Sequence, residues 1–179
     1  MIIQHRDSRC FLCIDLMREI VIWFDMDDTL CYYTKAINAA RLACPGMAYP
    51  QSQLDFFRNL EPIPFAIEAF KELAGDPRFY VAIATGPSEE NPLSYMEKRI
   101  WVEQHLGKEF VHRLYITPEK HRIIGDVLVD DLVSGKRMQH LFRGTLFQVS
   151  PESTNLMWRY IIAECNKLAA DGEKEIQIQ

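Results

Sequence analysis

The 179-residue chain has no apolar run long enough to cross a lipid bilayer. The nearest candidate, residues 10–24, is interrupted by Asp15, Arg18 and Glu19. The sequence also has no internal repeat, no low-complexity segment and no convincing signal peptide. These absences favour a globular protein without a membrane partner, and we expect it in the cytoplasm.

An excess of positive charge is also missing, since the formal net charge is −5. This balance argues mildly against nucleic-acid polymers or anionic membranes as the main partner. The length suits one domain with a small insertion. We expect residues 1–16 to be an N-terminal extension, and residues 17–179 to form a single domain with a cap insert at about 33–60.

The chain lacks an even number of cysteines. It has five: Cys10, Cys13, Cys31, Cys44 and Cys165. An odd number in a chain without a recognisable leader suggests reduced thiols rather than a disulfide framework. The spacing of Cys10 and Cys13 is that of a zinc knuckle, but no second pair completes four ligands. We therefore favour two half-buried residues of the extension over a zinc site.

Strand and helix patterns alternate along the chain. The predicted strands lie at about 21–24, 79–84, within 110–116, 127–129 and 145–149. The predicted helices lie at about 34–43, 51–57, 65–74, 92–106 and 152–169. Such alternation predicts an α/β fold with a Rossmann-type parallel sheet, helices on both faces and a small helical cap insert.

Carboxylates cluster where the first predicted strand ends. Asp25 follows four apolar residues directly, and Asp27 could reach the same space as the chain turns. We expect Thr29 to satisfy backbone groups of that turn. Carboxylates held close together repel, and a divalent cation is the simplest remedy. The plainer alternative is that Asp25, Asp27 and Asp28 only cap a turn.

Two further strands end in polar residues. Thr85 and Gly86 follow the second strand, and Asp130 and Asp131 end the fourth. In a parallel sheet, ligands bind at the carboxyl ends of the strands, so these residues should converge on one crevice. Gly86 would allow an anion to approach the backbone closely.

Two lysines could add positive charge to that crevice. Lys98 lies on an otherwise apolar helical stripe, where a lysine either extends its end to solvent or is needed inside. Lys120 opens the segment leading to the acidic strand, and its common alternative is a solvated loop lysine. With Asp25 as nucleophile, Asp27 as acid and base, and Thr85 and a lysine holding phosphate oxygens, the order describes a Mg²⁺-dependent phosphoryl-transfer site.

The layout resembles the haloacid dehalogenase (HAD) superfamily, with Asp25-Met-Asp27-Asp-Thr29, Thr85, a lysine and Asp130-Asp131 as its four motifs. A closer resemblance is to the 5'(3')-deoxyribonucleotidases. It rests on three stretches: Phe56-Phe57-Arg-Asn-Leu60-Glu61-Pro62, residues 97–107 and Gly125-Asp126-Val-Leu-Val-Asp130-Asp131. The chain departs from that family's pattern in three places. Asp28-Thr29 stands where the family usually has Gly-Val, Gly86 stands where it usually has serine, and the segment between Tyr33 and Phe57 is shorter.

The resemblance implies a role for each matching residue. Lys120 would be the third-motif lysine, and Lys98 a second lysine on the phosphate side. The metal would be bound by Asp25, Asp131 and the backbone carbonyl of Asp27, with Asp130 beside them. The aromatic residues Tyr33 and Phe57 would contact the nucleobase, although packing within the cap is the alternative.

These inferences favour a Mg²⁺-dependent phosphomonoesterase that dephosphorylates (deoxy)nucleoside monophosphates through an aspartyl phosphate. The first alternative is a HAD phosphatase for another small phosphomonoester. The second is a non-catalytic binding module that keeps the fold. The expected partner is a small nucleotide, and a homodimer is an option that the sequence leaves open.

Overall fold

A computed structural model describes the backbone of residues 18–177 and the side chains of residues 18–171. The predicted extension at 1–16, including Cys10 and Cys13, lies outside the described residues. Among those described, no helix is both long enough and apolar enough to span a membrane.

Five parallel strands form one sheet in the order β3-β2-β1-β4-β5. Their bounds are β1 Ile20–Phe24, β2 Phe79–Thr85, β3 Leu114–Ile116, β4 Val127–Asp130 and β5 Thr145–Gln148. All five match strands expected from the sequence, and the α/β fold class is confirmed. The central position of β1 gives it neighbours on both sides, so its carboxyl end lies in the middle of that edge of the sheet.

Residues 18–177 also form four α-helices: α1 Tyr33–Ala43, α2 Pro64–Ala74, α3 Ser94–His105 and α4 Asn155–Gln177. The same described residues include four 3₁₀ helices, at Pro50–Ser52, Lys108–Arg113, Lys120–Arg122 and Gln139–Leu141. Helix α3 ends at His105, close to its predicted end at 106, and is followed by Gly107, whose φ of 124° favours glycine. Helix α4 continues beyond its predicted end at 169.

The two faces of the sheet are covered differently. Alternate strand residues, such as Phe24, Ile83 and Val129, pack with buried side chains of α2, α3 and α4 in the main core. The opposite set, which includes Trp23 and Leu128, packs with Phe142 and the segments around two of the 3₁₀ helices. The second face is thus covered by 3₁₀ helices and loops, because only short segments connect β3 to β4 and β4 to β5.

The cap insert differs from its predicted form. Helix α1 is present, but the predicted helix at 51–57 is replaced by a 3₁₀ helix followed by irregular turns. Asp55 has a φ of 62°, in the left-handed region, which an α-helix of L-residues does not allow. The backbone of this segment instead donates hydrogen bonds to a buried side chain of α3, described below.

Candidate active site

The polar strand ends meet as the sequence predicts. Strand β1 lies between β2 and β4, and all three run in the same direction. The residues that follow or end these strands therefore share one edge of the sheet. They border a cavity of about 500 Å³. Its wall includes these predicted site residues: Asp25, Asp27, Tyr33, Phe57, Gly86, Lys120 and Asp131.

Three other predicted residues lie beneath that wall. Thr85, Lys98 and Asp130 are fully buried. Lys98 and Asp130 make hydrogen bonds to residues of the cavity wall, and the Thr85 hydroxyl is bound to Lys98. The structure thus brings together all the predicted site residues, although it does not place all of them on the cavity surface.

The turn after β1 gives each of its acids a different environment. Asp25 is buried, and its backbone N–H donates to Val129 O at 2.8 Å. Asp28 has a φ of 56°, and its carboxylate accepts hydrogen bonds from the backbone N–H (2.8 Å) and hydroxyl (2.5 Å) of Thr34. Asp28 therefore holds the start of α1. The expectation for Thr29 was wrong, since its buried Oγ1 has no hydrogen-bond partner among the described residues.

Of the two alternatives for Lys98, the structure shows the interior one. Its side chain is 0% exposed, and Nζ contacts Asp27 Oδ2 at 2.6 Å, Thr85 Oγ1 at 2.8 Å and Gly86 O at 2.8 Å. An ammonium has three N–H donors, and all three are engaged. Lys98 thus joins the ends of β1 and β2 and holds Asp27 in place.

Replacing Lys98 by Met is expected to lower the free energy of unfolding by about 1 to 3 kcal/mol, because the Asp27 carboxylate, which is 28% exposed, would lose its cationic partner. Urea denaturation measures the change. The matched control is Lys136→Met, whose side chain is 85% exposed and should alter stability by less than about 0.5 kcal/mol. Equal stability of the two variants would contradict a structural role for Lys98.

Lys120 connects the acid that follows β1 with the acid that ends β4. Its buried Nζ lies 2.6 Å from Asp25 Oδ1 and 2.6 Å from Asp130 Oδ2. Burial lowers the pKa of Lys120, but the charges of Asp25 and Asp130 outweigh this effect and the pKa is raised. The lysine is therefore charged, and the solvated alternative does not hold.

Asp25, Asp130 and Asp131 form a group of acids that could bind a metal ion, with one oxygen from each lying within 4.8 Å of the others. Burial, followed by the charge of Asp25, raises the pKa of Asp130 to about 6 and that of Asp131 to about 8. Both effects disfavour the charged forms in a metal-free site. A divalent cation with oxygen ligands would relieve them, so the donor set fits Mg²⁺ chemically.

The two acids at the end of β4 differ in their availability to a ligand. Asp130 Oδ2 is bound to Lys120, and Oδ1 accepts from Leu132 N at 2.9 Å and Gln139 Nε2 at 3.2 Å. The half-buried Asp131 lines the cavity, and its carboxylate receives no hydrogen bond from the described residues. Asp131 is thus the freer of the two.

Sequence reasoning missed Glu97, which shapes the cap. Its carboxylate is 0% exposed and accepts hydrogen bonds from Asp55 N at 2.9 Å and Phe57 N at 3.0 Å. One turn along α3, Trp101 Nε1 donates to Leu60 O at 2.8 Å. Helix α3 therefore holds the loop that carries Phe57. The only signal in the sequence was an acid beside Lys98, which also suits an exposed helix face.

The aromatic side chains form one group at the cap side of the cavity. Tyr33 and Phe57 are stacked, with ring centroids 6.0 Å apart, and Phe57 is only 2% exposed. Lys98 Nζ lies 5.0 Å from the centre of the Phe57 ring. Tyr49, which sequence reasoning did not select, also lines the cavity and is 50% exposed.

Comparison with known proteins gives the family. A family model described as "5' nucleotidase, deoxy (Pyrimidine), cytosolic type C protein" matches residues 47–157, which is more than half of the chain. The chain belongs to this family. The match includes Phe57, Thr85, Lys98, Lys120, Asp130 and Asp131 but begins after Asp25 and Asp27, whose assignment rests on their own geometry.

Similar proteins carry the name 5'(3')-deoxyribonucleotidase, in agreement with the family match. The human 5'(3')-deoxyribonucleotidase of cytosolic type is 45% identical over 76 residues, which are 42% of this chain and 38% of that protein. The mouse mitochondrial 5'(3')-deoxyribonucleotidase is 40% identical over 77 residues, 43% of this chain and 35% of its own. A Vibrio phage KVP40 protein provisionally given the same name is 29% identical over 140 residues, 70% and 76% of the two chains.

The resemblance to a HAD-type deoxyribonucleotidase is thus confirmed at the level of the family. The aligned region spans less than half the length of the human and mouse relatives.

Proposed function

We propose that this protein is a Mg²⁺-dependent phosphatase that releases phosphate from (deoxy)nucleoside monophosphates through a phosphorylated Asp25. The observation that carries the proposal is the meeting of Asp25, Thr85, Lys120 and Asp131 at one sheet edge beside a cavity with an aromatic wall. The cavity of about 500 Å³ has the size of a small-molecule site.

Asp25 is proposed to be the nucleophile. Lys120 holds its Oδ1 at 2.6 Å and so fixes the orientation of the carboxylate at the cavity wall. Attack by a carboxylate oxygen forms an O–P bond and breaks the ester P–O bond, and the alkoxide carries away that electron pair. Water then attacks the phosphorus of the aspartyl phosphate, which releases phosphate and restores Asp25.

Asp27 is proposed to move the proton in both steps. Burial raises its pKa, the charge of Asp25 adds to this effect and Lys98 opposes it. A protonated Asp27 can donate to the leaving alkoxide, and the resulting carboxylate can take a proton from the attacking water. The hydrogen bond from Lys98 to Oδ2 keeps this side chain in one position.

The phosphate oxygens need positive or N–H partners as charge builds on them. The Thr85 hydroxyl accepts from Lys98, so its own hydrogen is free to donate. We propose that it does so together with the backbone of Gly86 and the remaining N–H of Lys120. The predicted direct contact between Lys98 and phosphate stays a prediction. All three donors of Lys98 are engaged within the protein, so this contact would require one of those hydrogen bonds to be released.

Asp25, Asp131 and the backbone carbonyl of Asp27 would hold Mg²⁺, and the freer carboxylate of Asp131 supports its preference over Asp130. When bound, Mg²⁺ would neutralise negative charge shared between the carboxylates and the substrate phosphate.

The cap segment at about 33–60 is proposed to select the nucleoside. Tyr33 and Phe57 form one wall of the cavity, and aromatic rings bind bases by stacking with little dependence on base identity. We therefore expect activity on several deoxynucleoside 5'-monophosphates, with modest differences among bases. The cytoplasmic location and the homodimer stay predictions.

Replacing Phe57 by Ala should raise KM for a deoxynucleoside monophosphate about tenfold, because Tyr33 would lose the ring on which it is stacked and the aromatic wall beside the base would be displaced. The KM for p-nitrophenyl phosphate should change much less, since this substrate has no base. Phe56→Ala is the matched control: Phe56 contacts both Tyr33 and Phe57 but is not part of the cavity wall. Equal losses on both substrates would show that Phe57 serves only to pack the cap.

The substrate class is tested by measuring phosphate release from a panel of nucleoside monophosphates and sugar phosphates. The proposal predicts higher kcat/KM for deoxynucleoside monophosphates than for sugar phosphates. Preference for a sugar phosphate would favour another HAD phosphatase, and no turnover with any divalent metal would favour a binding module.

A further inference from the structure

The predicted phosphate-binding groups supply few free donors. All three N–H groups of Lys98 are bound to Asp27, Thr85 and Gly86. Lys120 uses two of its three on Asp25 and Asp130. A phosphoryl group in transfer has three equatorial oxygens that need partners. Of the donors predicted to bind phosphate, one lysine N–H, one hydroxyl and backbone N–H groups are thus left for these three oxygens.

Arg137 lies where it could complete the set. It lines the same cavity as Asp25 and Lys120. Its guanidinium lies against Gly86, so closely that a Cβ atom at position 86 would overlap it. The absence of a side chain at Gly86 is therefore what gives the guanidinium its place at the end of β2.

Arg137 is hydrogen-bonded to two segments that border the cavity, the loop after β2 and the 3₁₀ helix that begins at Lys120. Nη2 donates to Pro87 O at 2.8 Å, and the backbone O of Arg137 accepts from Lys120 N at 3.2 Å. An arginine has five N–H donors, and in the described part of the chain this one contact is the only side-chain hydrogen bond it makes. The neighbouring acid Glu89 is paired instead with Lys136, at 3.7 Å.

We propose that Arg137 binds the phosphate of the substrate, with Gly86 as the residue that makes room for it. The inference rests on the proposed function, because it names a further group at the same site. A planar guanidinium can donate two parallel hydrogen bonds to two phosphate oxygens. The contact is to the phosphate, so it should serve every phosphomonoester and not only nucleotides.

The first test compares Arg137→Gln with Arg143→Gln, which removes the same charge from an exposed arginine outside the cavity wall. Arg137→Gln should lower kcat/KM about tenfold or more for both a nucleotide and p-nitrophenyl phosphate, and weaken binding of inorganic phosphate by a similar factor. Arg143→Gln should stay within about twofold of wild type. A nucleotide-only loss, or no difference between the variants, would overturn the proposal.

The second test uses Gly86→Ala, alone and combined with Arg137→Gln. The added methyl group meets the movable end of a side chain, so the fold should survive, as circular dichroism and Tm can verify. Gly86→Ala should reproduce most of the loss by displacing the guanidinium. In the Arg137→Gln background it should add little, whereas fully additive losses would contradict the proposed link.

Binding of inorganic phosphate, measured by calorimetry, tests the role of Arg137 independently of the proposed phosphatase activity. If wild type binds phosphate but hydrolyses no phosphomonoester, the proposed function fails, and weaker phosphate binding by Arg137→Gln still supports the role of Arg137. If wild type binds no phosphate, or Arg137→Gln binds it as tightly as wild type does, the role of Arg137 is wrong.

Discussion

Asp25→Asn is expected to reduce kcat by about four orders of magnitude or more, because the substitution keeps the shape of the side chain and removes the attacking charge. Folding should be little affected. The amide oxygen can still accept from Lys120, and a carboxylate that repels Asp130 and Asp131 is removed. Steady-state kinetics with a deoxynucleoside monophosphate, together with thermal denaturation, measures both expectations.

Asp28→Asn is the matched control for this variant. Asp28 also lines the cavity, but its carboxylate holds Thr34 at the start of α1. The control should cost up to about 1 kcal/mol of stability through the weakened helix start and should keep most of the activity. Near-normal turnover by Asp25→Asn would rule out covalent catalysis at that residue.

Asp131→Ala is expected to abolish both Mg²⁺ binding and activity while leaving stability unchanged or slightly higher. Its carboxylate is the freer of the two at the end of β4, and it is repelled by Asp25 and Asp130. Calorimetric titration with Mg²⁺ measures metal affinity directly, so the result does not depend on turnover.

Asp130→Ala should differ in its effect on stability. Asp130 is a partner of the buried Lys120 and accepts hydrogen bonds from Leu132 N and Gln139 Nε2. Its loss should lower the free energy of unfolding by about 3 kcal/mol, as urea denaturation can show. A crystal structure with Mg²⁺ bound to Asp130 and not to Asp131 would reverse the assignment.

The sheet and the meeting point of its polar ends could be predicted from the sequence because both depend on local patterns. Short apolar runs such as 21–24 and 127–129 mark buried strands, and parallel strands place Asp25, Thr85 and Asp130 on one edge. The interior position of Lys98 needed the structure, since its helical stripe allowed two interpretations.

Other features depend on contacts between distant segments, which a single sequence does not reveal. The loop carrying Phe57 is held by Glu97, 40 residues away, and this contact replaces the helix predicted at 51–57. The position of Arg137 over Gly86 joins two loops that local patterns cannot align. The hydrogen bonds used by Lys98 likewise became visible only once the ends of β1 and β2 were in place.

Phosphate release from a deoxynucleoside 5'-monophosphate, measured on the purified protein with Mg²⁺ and again with a chelator, tests the central claim most directly. We predict turnover that requires Mg²⁺, is lost in Asp25→Asn and exceeds turnover of a sugar phosphate under the same conditions. Equal phosphate release with and without Mg²⁺, or no release from any deoxynucleoside monophosphate, would contradict it.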